Sequence, residues 1–179
     1  MKINLRRVTT GAVLIAAASA FLFCTGFTKA SDHGNHENGY LKSATYYSDD
    51  WVINFWNSES SHMDEELKQI REDGFNSIIL VVPWREFQPS MAPEHYNDYA
   101  WEKFDRVMKA AKAQDLKVML RVGYTWDYYS SENVLARYEK LLYDSETKKA
   151  WLHYAKRLYE KASAYDNFSG GFITWEDFW

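Results

Sequence analysis

Short apolar segments alternate with amphipathic segments along most of this 179-residue chain. Two of the apolar segments, residues 77–82 (SIILVV) and 117–122 (KVMLRV), are rich in β-branched and other apolar side chains. Near-continuous apolar runs are typical of strands that are buried on both faces of a parallel sheet. Between them, apolar residues recur at helical spacing and predict an amphipathic helix over about residues 100–114. This strand–helix–strand order favours right-handed crossovers and a parallel sheet.

The same alternation predicts two more strands and three more helices. An aromatic and β-branched run at residues 51–56 predicts the first strand, and residues 172–175, directly after two glycines, predict the fourth. The additional helices are predicted at about residues 60–73, 132–142 and 146–164. Ser60 or Ser61 is expected to cap the first of these, and Gly74 to end it in the left-handed conformation. We therefore predict an α/β fold of the (β/α)8-barrel type that reaches about strand four, a half-barrel with parallel strands.

The N-terminus has the layout of a secretory signal peptide, which we assign to residues 1–30. Basic residues precede an apolar run at residues 11–24, which is shorter than the ~20 residues of a membrane-spanning helix. Small side chains at Thr28 and Ala30 predict cleavage after Ala30. We expect export to the periplasm or the extracellular space, with no membrane contact beyond an uncleaved signal anchor.

Two further regions follow the signal peptide. Residues 31–48 are polar, aperiodic and rich in Gly and Asn, which predicts a flexible leader. Residues 49–179 are expected to form the N-terminal half of a β/α-barrel domain. His33, His36 and Glu37 lie in the leader, where a flexible chain offers no preorganised geometry for a metal. Elsewhere no Cys or His cluster has zinc spacing and no Gly-rich phosphate loop follows a strand, so we expect neither a metal nor a cofactor.

The composition favours a carbohydrate as the partner of this chain. A formal net charge of −4 and a pI near 5.7 argue against nucleic acid or anionic lipid as a partner. Aromatic residues make up 17% of the chain, including 8 Trp and 13 Tyr. Such rings join a flat apolar face to a polar tip, and sugars present both kinds of surface. An aromatic-rich core is the alternative explanation for many of these rings.

Charged and aromatic side chains follow the predicted strands at their carboxyl ends. In a β/α barrel these ends share one face, which carries the active site. Flat rings there can stack on the C–H face of a pyranose, while Arg and Asp bind its hydroxyls. We predict Glu176 as the catalytic residue. The predicted substrate-binding residues are Trp84, Arg85, Arg121, Tyr124, Trp126, Asp127, Asp177 and Trp179.

Each of these assignments has a structural alternative. For Glu176 and Asp177 the alternative is that they form a solvated pair in a loop and have no catalytic role. Each aromatic ring, taken singly, has the alternative of packing beneath a loop. Arg121 interrupts an apolar strand end, and a buried charge there needs a partner. We expect the Arg121 guanidinium to pair with an active-site carboxylate.

Three stretches of the sequence resemble the early barrel of clan A glycoside hydrolases, and in particular its β-galactosidase-type families. They are residues 83–89 (PWREFQP), 95–97 (HYN) and 117–124 (KVMLRVGY). In those families a Trp-x-x-x-Glu-Pro loop is followed by a Tyr-Asp-Phe-like turn, and the third strand reads Val-x-Leu-Arg-x-Gly-Pro-Tyr. The resemblance covers about residues 51–179. Trp175 stands where the clan usually has Asn.

The resemblance implies a mechanism as well as a fold. In the clan the acid/base glutamate lies at the end of strand four, the place that Glu176 matches, and the nucleophile is a glutamate at the end of strand seven. A retaining glycosidase needs these two carboxyl groups about 5–5.5 Å apart. A full barrel takes about 250 residues. The resemblance therefore implies that this chain is the N-terminal half of an exported glycoside hydrolase, with little or no activity as given.

Three alternatives remain open from the sequence. The first is association of two half-barrels through their open strand edges, because an open sheet leaves its edge strands unpaired. The second is a non-catalytic carbohydrate-binding pseudoenzyme, and the third is a structural envelope protein without a sugar site.

Overall fold

A computed structural model describes residues 40–122 and 134–173 of the chain, in which strands and helices alternate. In chain order the elements are β1 (Ser43–Thr45), a 3-10 helix (Asn54–Asn57), α1 (Met63–Glu72), β2 (Ser77–Val82), α2 (Trp84–Phe87), β3 (Ser90–Met91), β4 (Glu94–His95), α3 (Asp98–Ala113), β5 (Lys117–Val122), α4 (Val134–Tyr143), α5 (Ser145–Ala162) and β6 (Phe168–Ile173). The strands predicted at residues 77–82 and 117–122 are therefore confirmed, and the helix predicted at about residues 100–114 is confirmed as α3.

Four of the strands form one parallel sheet in the order β1-β2-β5-β6. Leu80 of β2 lies opposite Leu120 of β5, which in turn lies opposite Gly171 of β6. The short strands β3 and β4 form a separate antiparallel hairpin after β2. The predicted α/β fold with parallel strands and intervening helices is thus confirmed.

Successive side chains of a strand point to opposite faces of the sheet, and the core lies on the face that is covered by helices. In β2 and β5 every second residue is fully buried, and these residues join one cluster with the apolar faces of α1, α3 and α5. The strand members of the cluster are Ile78, Leu80, Val82, Val118, Leu120 and Val122. On α3 the whole predicted apolar stripe is buried, namely Trp101, Phe104, Val107, Met108 and Ala111. Hydrophobic periodicity therefore identified both the elements and the faces that meet.

The first strand was predicted in the wrong place. Residues 51–56 are not a strand, because their last part forms the 3-10 helix Asn54–Asn57. Phe55 and Trp56 are buried in the core, and the Trp56 indole N–H donates a hydrogen bond of 2.9 Å to the Val81 carbonyl oxygen. The aromatic content of this segment thus serves packing rather than a strand ladder.

The observed first strand, β1, is only three residues long and pairs in parallel with β2. It lies within residues 31–48, which were predicted to be a flexible leader, so that prediction is wrong for residues 43–45. Ser43–Thr45 carries little apolar signal of its own. Its extended conformation depends on pairing with β2, and the residues of the segment itself do not indicate that pairing.

The N-terminus of α1 and the start of β6 also differ from their predicted positions. His62, with no side-chain hydrogen bond to the helix, stands at the N-cap of α1, so neither Ser60 nor Ser61 caps it. Gly74 has a φ of +82°, which confirms the left-handed end of α1. Strand β6 begins at Phe168, ahead of the predicted residues 172–175, because its first residues are held by pairing with β5 rather than by strand propensity.

Two asparagines tie the amino ends of the strands together. The Asn76 side chain accepts a hydrogen bond of 2.8 Å from the Lys42 backbone N–H and donates one of 2.9 Å to the Tyr40 carbonyl, which fixes the approach to β1. The Asn167 side chain donates to the carbonyls of Met108 at 3.1 Å and Leu116 at 3.2 Å. These contacts set the start of the strands at the face opposite their carboxyl ends.

Candidate functional site

Three of the predicted site residues lie in the described part of the chain, Trp84, Arg85 and Arg121. They lie at the carboxyl ends of β2 and β5, the face that carries the active site in a β/α barrel. The other predicted site residues fall outside the described residues, so their roles stay predictions. They are Tyr124, Trp126, Asp127, Glu176, Asp177 and Trp179.

Trp84 is a core residue in this structure. Its side chain is fully buried, and its indole N–H donates a hydrogen bond of 2.6 Å to the Gln88 side-chain oxygen. A ring that is covered on both faces cannot stack on a sugar. The sugar-binding role predicted for Trp84 is therefore corrected to the packing role that was its alternative. Arg85, its neighbour, is exposed.

Arg121 lies on the face of the sheet away from the helices. Its neighbours along β5, Leu120 and Val122, are fully buried in the helical core, and successive side chains of a strand point to opposite faces. In the register of the sheet, Arg121 lies beside Val81 of β2 and Phe172 of β6. In a closed barrel this face is the interior. The expected pairing of Arg121 with Glu176 stays a prediction, since Glu176 lies outside the described residues.

A cluster that we call the amide–carboxylate cluster, Asn57, Glu86 and Asn97, lies beside these residues. The Asn57 side-chain N–H donates to Glu86 Oε2. The Asn97 side-chain N–H donates to Asn57 Oδ1 at 2.9 Å and to the Glu86 carbonyl oxygen at 3.0 Å. Burial raises the pKa of the half-buried Glu86 carboxyl above its ordinary value, against the opposing effects of the Asn57 hydrogen bond and the Arg85 charge.

A second polar network surrounds Glu94 on the β3–β4 hairpin. Its carboxylate accepts hydrogen bonds from the Tyr96 hydroxyl and from the Gln88 side chain at 3.3 Å, and His153 Nδ1 lies 3.4 Å away. The Tyr96 hydrogen bond is the main reason that the pKa of Glu94 is held below its ordinary value. The Arg157 guanidinium lies over the Tyr96 ring, 4.2 Å from its centroid. Because these contacts join the β3–β4 hairpin to α5, we interpret this network as structural.

Asn57 was assigned no site role from the sequence, and Glu86 was placed at the carboxyl end of the strand 77–82 without being given one. Both lie just past apolar segments, but Asn57 followed a segment that had been assigned to a strand, and Glu86 adjoined Trp84 and Arg85. The only available sequence signal is position, because Asn57 directly follows the predicted strand 51–56 and Glu86 lies three residues after the proline that ends the strand 77–82. Trp51, in the segment after β1, was also missed and is 65% exposed, so its ring is open for stacking.

Neither a metal site nor a membrane span is found in the described ranges. No group of three or more His, Cys, Asp or Glu side chains there is arranged to hold a metal ion. No helix within residues 40–122 and 134–173 has the length and apolar character needed to cross a bilayer.

Comparison with known proteins finds similarity at the level of structure. No protein-family description and no curated protein sequence matches the chain. A GH5_18 variant from Bifidobacterium longum subsp. longum, solved with Manb1-4GlcNAc, superposes with a TM-score of 0.60 and 18% identity over 75% of this chain and 33% of that chain. GH5_18 from Streptomyces cattleya, solved with GlcNAc, gives 0.58 and 16% over 74% and 33%.

A second kind of glycoside hydrolase shows the same likeness. Thermotoga maritima Cel5A, solved with cellobiose, superposes with a TM-score of 0.53 and 16% identity over 75% of this chain and 40% of that chain. The chain spans about a third of the length of the GH5_18 structures that it matches. The described residues therefore have a partial clan A glycoside hydrolase fold, four parallel strands with their helices.

Proposed function

We propose that this chain is the N-terminal part of an exported glycoside hydrolase and that it binds an oligosaccharide at the carboxyl ends of its strands. The observation that carries the proposal is the position of Arg121. It lies on the face of the sheet opposite the helical core, in a fold shared with GH5_18 structures that were solved with Manb1-4GlcNAc and GlcNAc. A guanidinium on the interior face of a barrel can orient a catalytic carboxylate or bind sugar oxygens directly.

In this proposal Glu176 is the acid/base, and it gives a proton to the leaving oxygen. Arg121 orients it, while Tyr124, Trp126 and Asp127 line the sugar site beyond β5. Asp177 and Trp179 line it beyond the fourth strand, and Arg85 does so beyond β2. Hydrolysis by retention needs a second carboxyl group, which the barrel strands beyond the fourth supply. The 179-residue chain alone is therefore expected to bind sugar without cleaving it.

Binding and turnover are measured on the purified 179-residue chain. Manb1-4GlcNAc and cellobiose serve as binding probes in isothermal titration calorimetry, and an aryl glycoside serves as the probe for hydrolysis. We expect Arg121→Met to weaken binding about tenfold or more, because hydrogen bonds to charged groups contribute about 1.5–3 kcal/mol. Glu102→Gln, at an exposed position of α3, is the control and should bind normally.

Two results would count against this proposal. If the folded wild-type chain binds neither saccharide, sugar recognition by this chain is wrong. If the wild-type chain hydrolyses the aryl glycoside and Glu176→Gln abolishes that turnover, the expectation of an inactive half-site is wrong.

The second candidate is a non-catalytic carbohydrate-binding protein, which is favoured by Trp175 standing where the clan usually has Asn. In that case Glu176→Gln leaves oligosaccharide affinity unchanged, whereas Trp126→Ala abolishes it. The same calorimetric titration separates the two candidates, because an acid/base that also contacts the glycosidic oxygen alters affinity when it is replaced.

Export is tested separately from sugar binding. We propose that the chain is processed after Ala30, and expression of the full chain in a secreting bacterial host should yield a mature protein that begins at Ser31. N-terminal sequencing of the periplasmic and extracellular fractions checks this. A protein that keeps residues 1–30 in those fractions would contradict the cleavage, and retention with the membrane fraction would favour the uncleaved anchor.

A further inference from the structure

The amide–carboxylate cluster joins three segments that are far apart in sequence. Asn57 ends the 3-10 helix after β1, Glu86 lies in α2 after β2, and Asn97 caps the N-terminus of α3. All three segments lie on the carboxyl-end side of the sheet, since each follows a strand or precedes the helix that leads back from it. The cluster thus occupies the rim where a β/α barrel binds its ligands.

Asn97 has no freedom to turn its amide over. Its oxygen accepts a hydrogen bond of 3.4 Å from the Ala100 backbone N–H at the start of α3, so its nitrogen must face Asn57 and α2. Its own backbone N–H donates to the Phe87 carbonyl oxygen at 3.0 Å. Because the Asn97 nitrogen donates to Asn57 Oδ1, the amide of Asn57 is fixed as well, with its nitrogen towards Glu86.

This fixed arrangement leaves donors and acceptors available at the surface. The Asn57 amide is exposed and retains a second N–H, and its oxygen retains a second lone pair. Glu86 Oε2 receives the Asn57 donor, while Oε1 accepts no hydrogen bond from any other residue in the described ranges. A half-buried carboxylate with an open oxygen gains from an added hydroxyl donor, because hydrogen bonds to a charged acceptor are stronger than neutral ones.

We propose that Glu86 and Asn57 form a subsite that binds two neighbouring hydroxyl groups of a saccharide. One hydroxyl donates to Glu86 Oε1, and the adjacent one accepts from the open N–H of Asn57. The negative carboxylate disfavours phosphate and other anions, and a single carboxylate with one amide is a poor cation site. This inference rests on the proposed sugar-binding function and deepens it by naming residues on the rim of β1 and β2 that contact the sugar.

Glu86→Gln tests the subsite while keeping the size of the side chain. Manb1-4GlcNAc and cellobiose are titrated into the full 179-residue chain by isothermal titration calorimetry. We expect Glu86→Gln to raise the Kd about tenfold, as loss of a charge-assisted hydrogen bond does, and Asn57→Ala to raise it by a smaller factor. The matched control is Glu102→Gln, an exposed glutamate on α3, which should leave the Kd unchanged.

The pH profile of binding distinguishes a saccharide-binding role of the cluster from a purely structural role in joining the loops. As the pH falls through the pKa of Glu86, which burial raises above its ordinary value, the carboxylate is protonated and wild-type affinity should fall. Glu86→Gln should bind weakly and without this pH dependence, with a Tm within about 2 °C of wild type.

The outcomes separate this inference from the function on which it rests. If the wild-type chain binds a saccharide and Glu86→Gln binds it equally well, the subsite is wrong and the proposed function stands. If Glu86→Gln lowers affinity only together with a large fall in Tm, and Asn57→Ala leaves the Kd unchanged, the cluster is structural and the subsite is also wrong. If the wild-type chain binds neither saccharide, both the proposed function and the subsite fall.

Discussion

Strands β2 and β6 are equal in length and flank β5 on its two sides, yet their surroundings differ sharply. In β2, Ile78, Leu80 and Val82 are fully buried, whereas in β6 Phe172 is 39% and Ile173 is 53% exposed. β2 has a strand on each side and helices over one face, while β6 pairs only with β5 within the described residues. The comparison teaches that the stability of this fold is concentrated on one side of the sheet, around β2 and α3.

The largest effect is expected from a truncation in β2. Leu80→Ala removes a fully buried side chain from the centre of the core and should lower the free energy of unfolding by about 2–5 kcal/mol. Chemical denaturation followed by circular dichroism measures this loss. A loss below about 1 kcal/mol would show that the β2 side is no better packed than the β6 edge.

On the β2 side, the next largest contribution to the free energy of unfolding is expected from Lys103. Its ammonium is fully buried, donates to the Phe55 carbonyl and to the Ser58 carbonyl at 2.7 Å, and lies 3.9 Å from the centroid of the Phe55 ring. Lys103→Met removes the charged donor from both carbonyls, which keep the hydroxyl donors Ser58 and Tyr99, and this should cost about 1–3 kcal/mol. Denaturant unfolding checks the value, with Lys109→Met on the exposed side of α3 as the control.

The same lysine predicts a pH dependence of stability. Burial is the main cause that lowers the pKa of Lys103 from 10.5 to about 8. Between these values the unfolded chain holds the proton and the folded chain does not, so the free energy of unfolding should rise with pH over that window. Measurements from about pH 8 to pH 9.5 avoid the tyrosines, and this rise should be absent in Lys103→Met. Equal slopes in both proteins would contradict the assignment.

At the β6 edge a small substitution is expected to have a clear effect, which sharpens the comparison. A Cβ at Gly171 would lie 2.5 Å from the Tyr159 hydroxyl oxygen and 2.9 Å from the Leu120 carbonyl oxygen. Gly171→Ala should therefore destabilise the protein by about 1–2 kcal/mol, as overpacking does. Adding Tyr159→Phe should restore only part of the loss, because the Leu120 backbone contact remains. Full restoration would mean that β6 shifts away from β5.

The smallest effect is expected at the exposed end of β6. Ile173→Thr keeps a β-branched side chain at a position that is 53% exposed, and it should change the free energy of unfolding by about 0.5 kcal/mol or less. Thermal unfolding measures this beside Leu80→Ala. A large loss of unfolding free energy for Ile173→Thr would mean that Ile173 packs against residues outside the sheet. The two strands would then no longer differ in how well they are packed.

The elements that sequence reasoning found correctly are those that carry their own pattern. β2 and β5 are continuous apolar runs, and α3 has a full apolar stripe, so local periodicity was enough. β1 is short and polar, and β6 begins with Phe168 and two central glycines, so both depend on pairing with a neighbour. Residues 51–56 have the composition of a strand, but their rings fill the core instead.

The same division applies to the candidate site. Arg121 was predicted as a site residue because a charge at an apolar strand end is visible in the sequence, and its role stays a prediction. The burial of Trp84 was not, because it depends on how the segment after β2 folds back onto the core. Contact between Asn57 and Glu86 depends on where three loops meet, and no spacing in a single sequence encodes that meeting.

The asparagine ties at the amino ends of the strands have a consequence for how such a protein can change. Asn76 and Asn167 hold the segments that lead into β1 and β5 from the end remote from the proposed saccharide site. At the opposite end, the segment after β2 packs into the core through Trp84 and Phe87, while exposed side chains such as Arg85 lie outside it. Exchange of exposed residues at that end should therefore change binding at the proposed saccharide site while the fold is preserved.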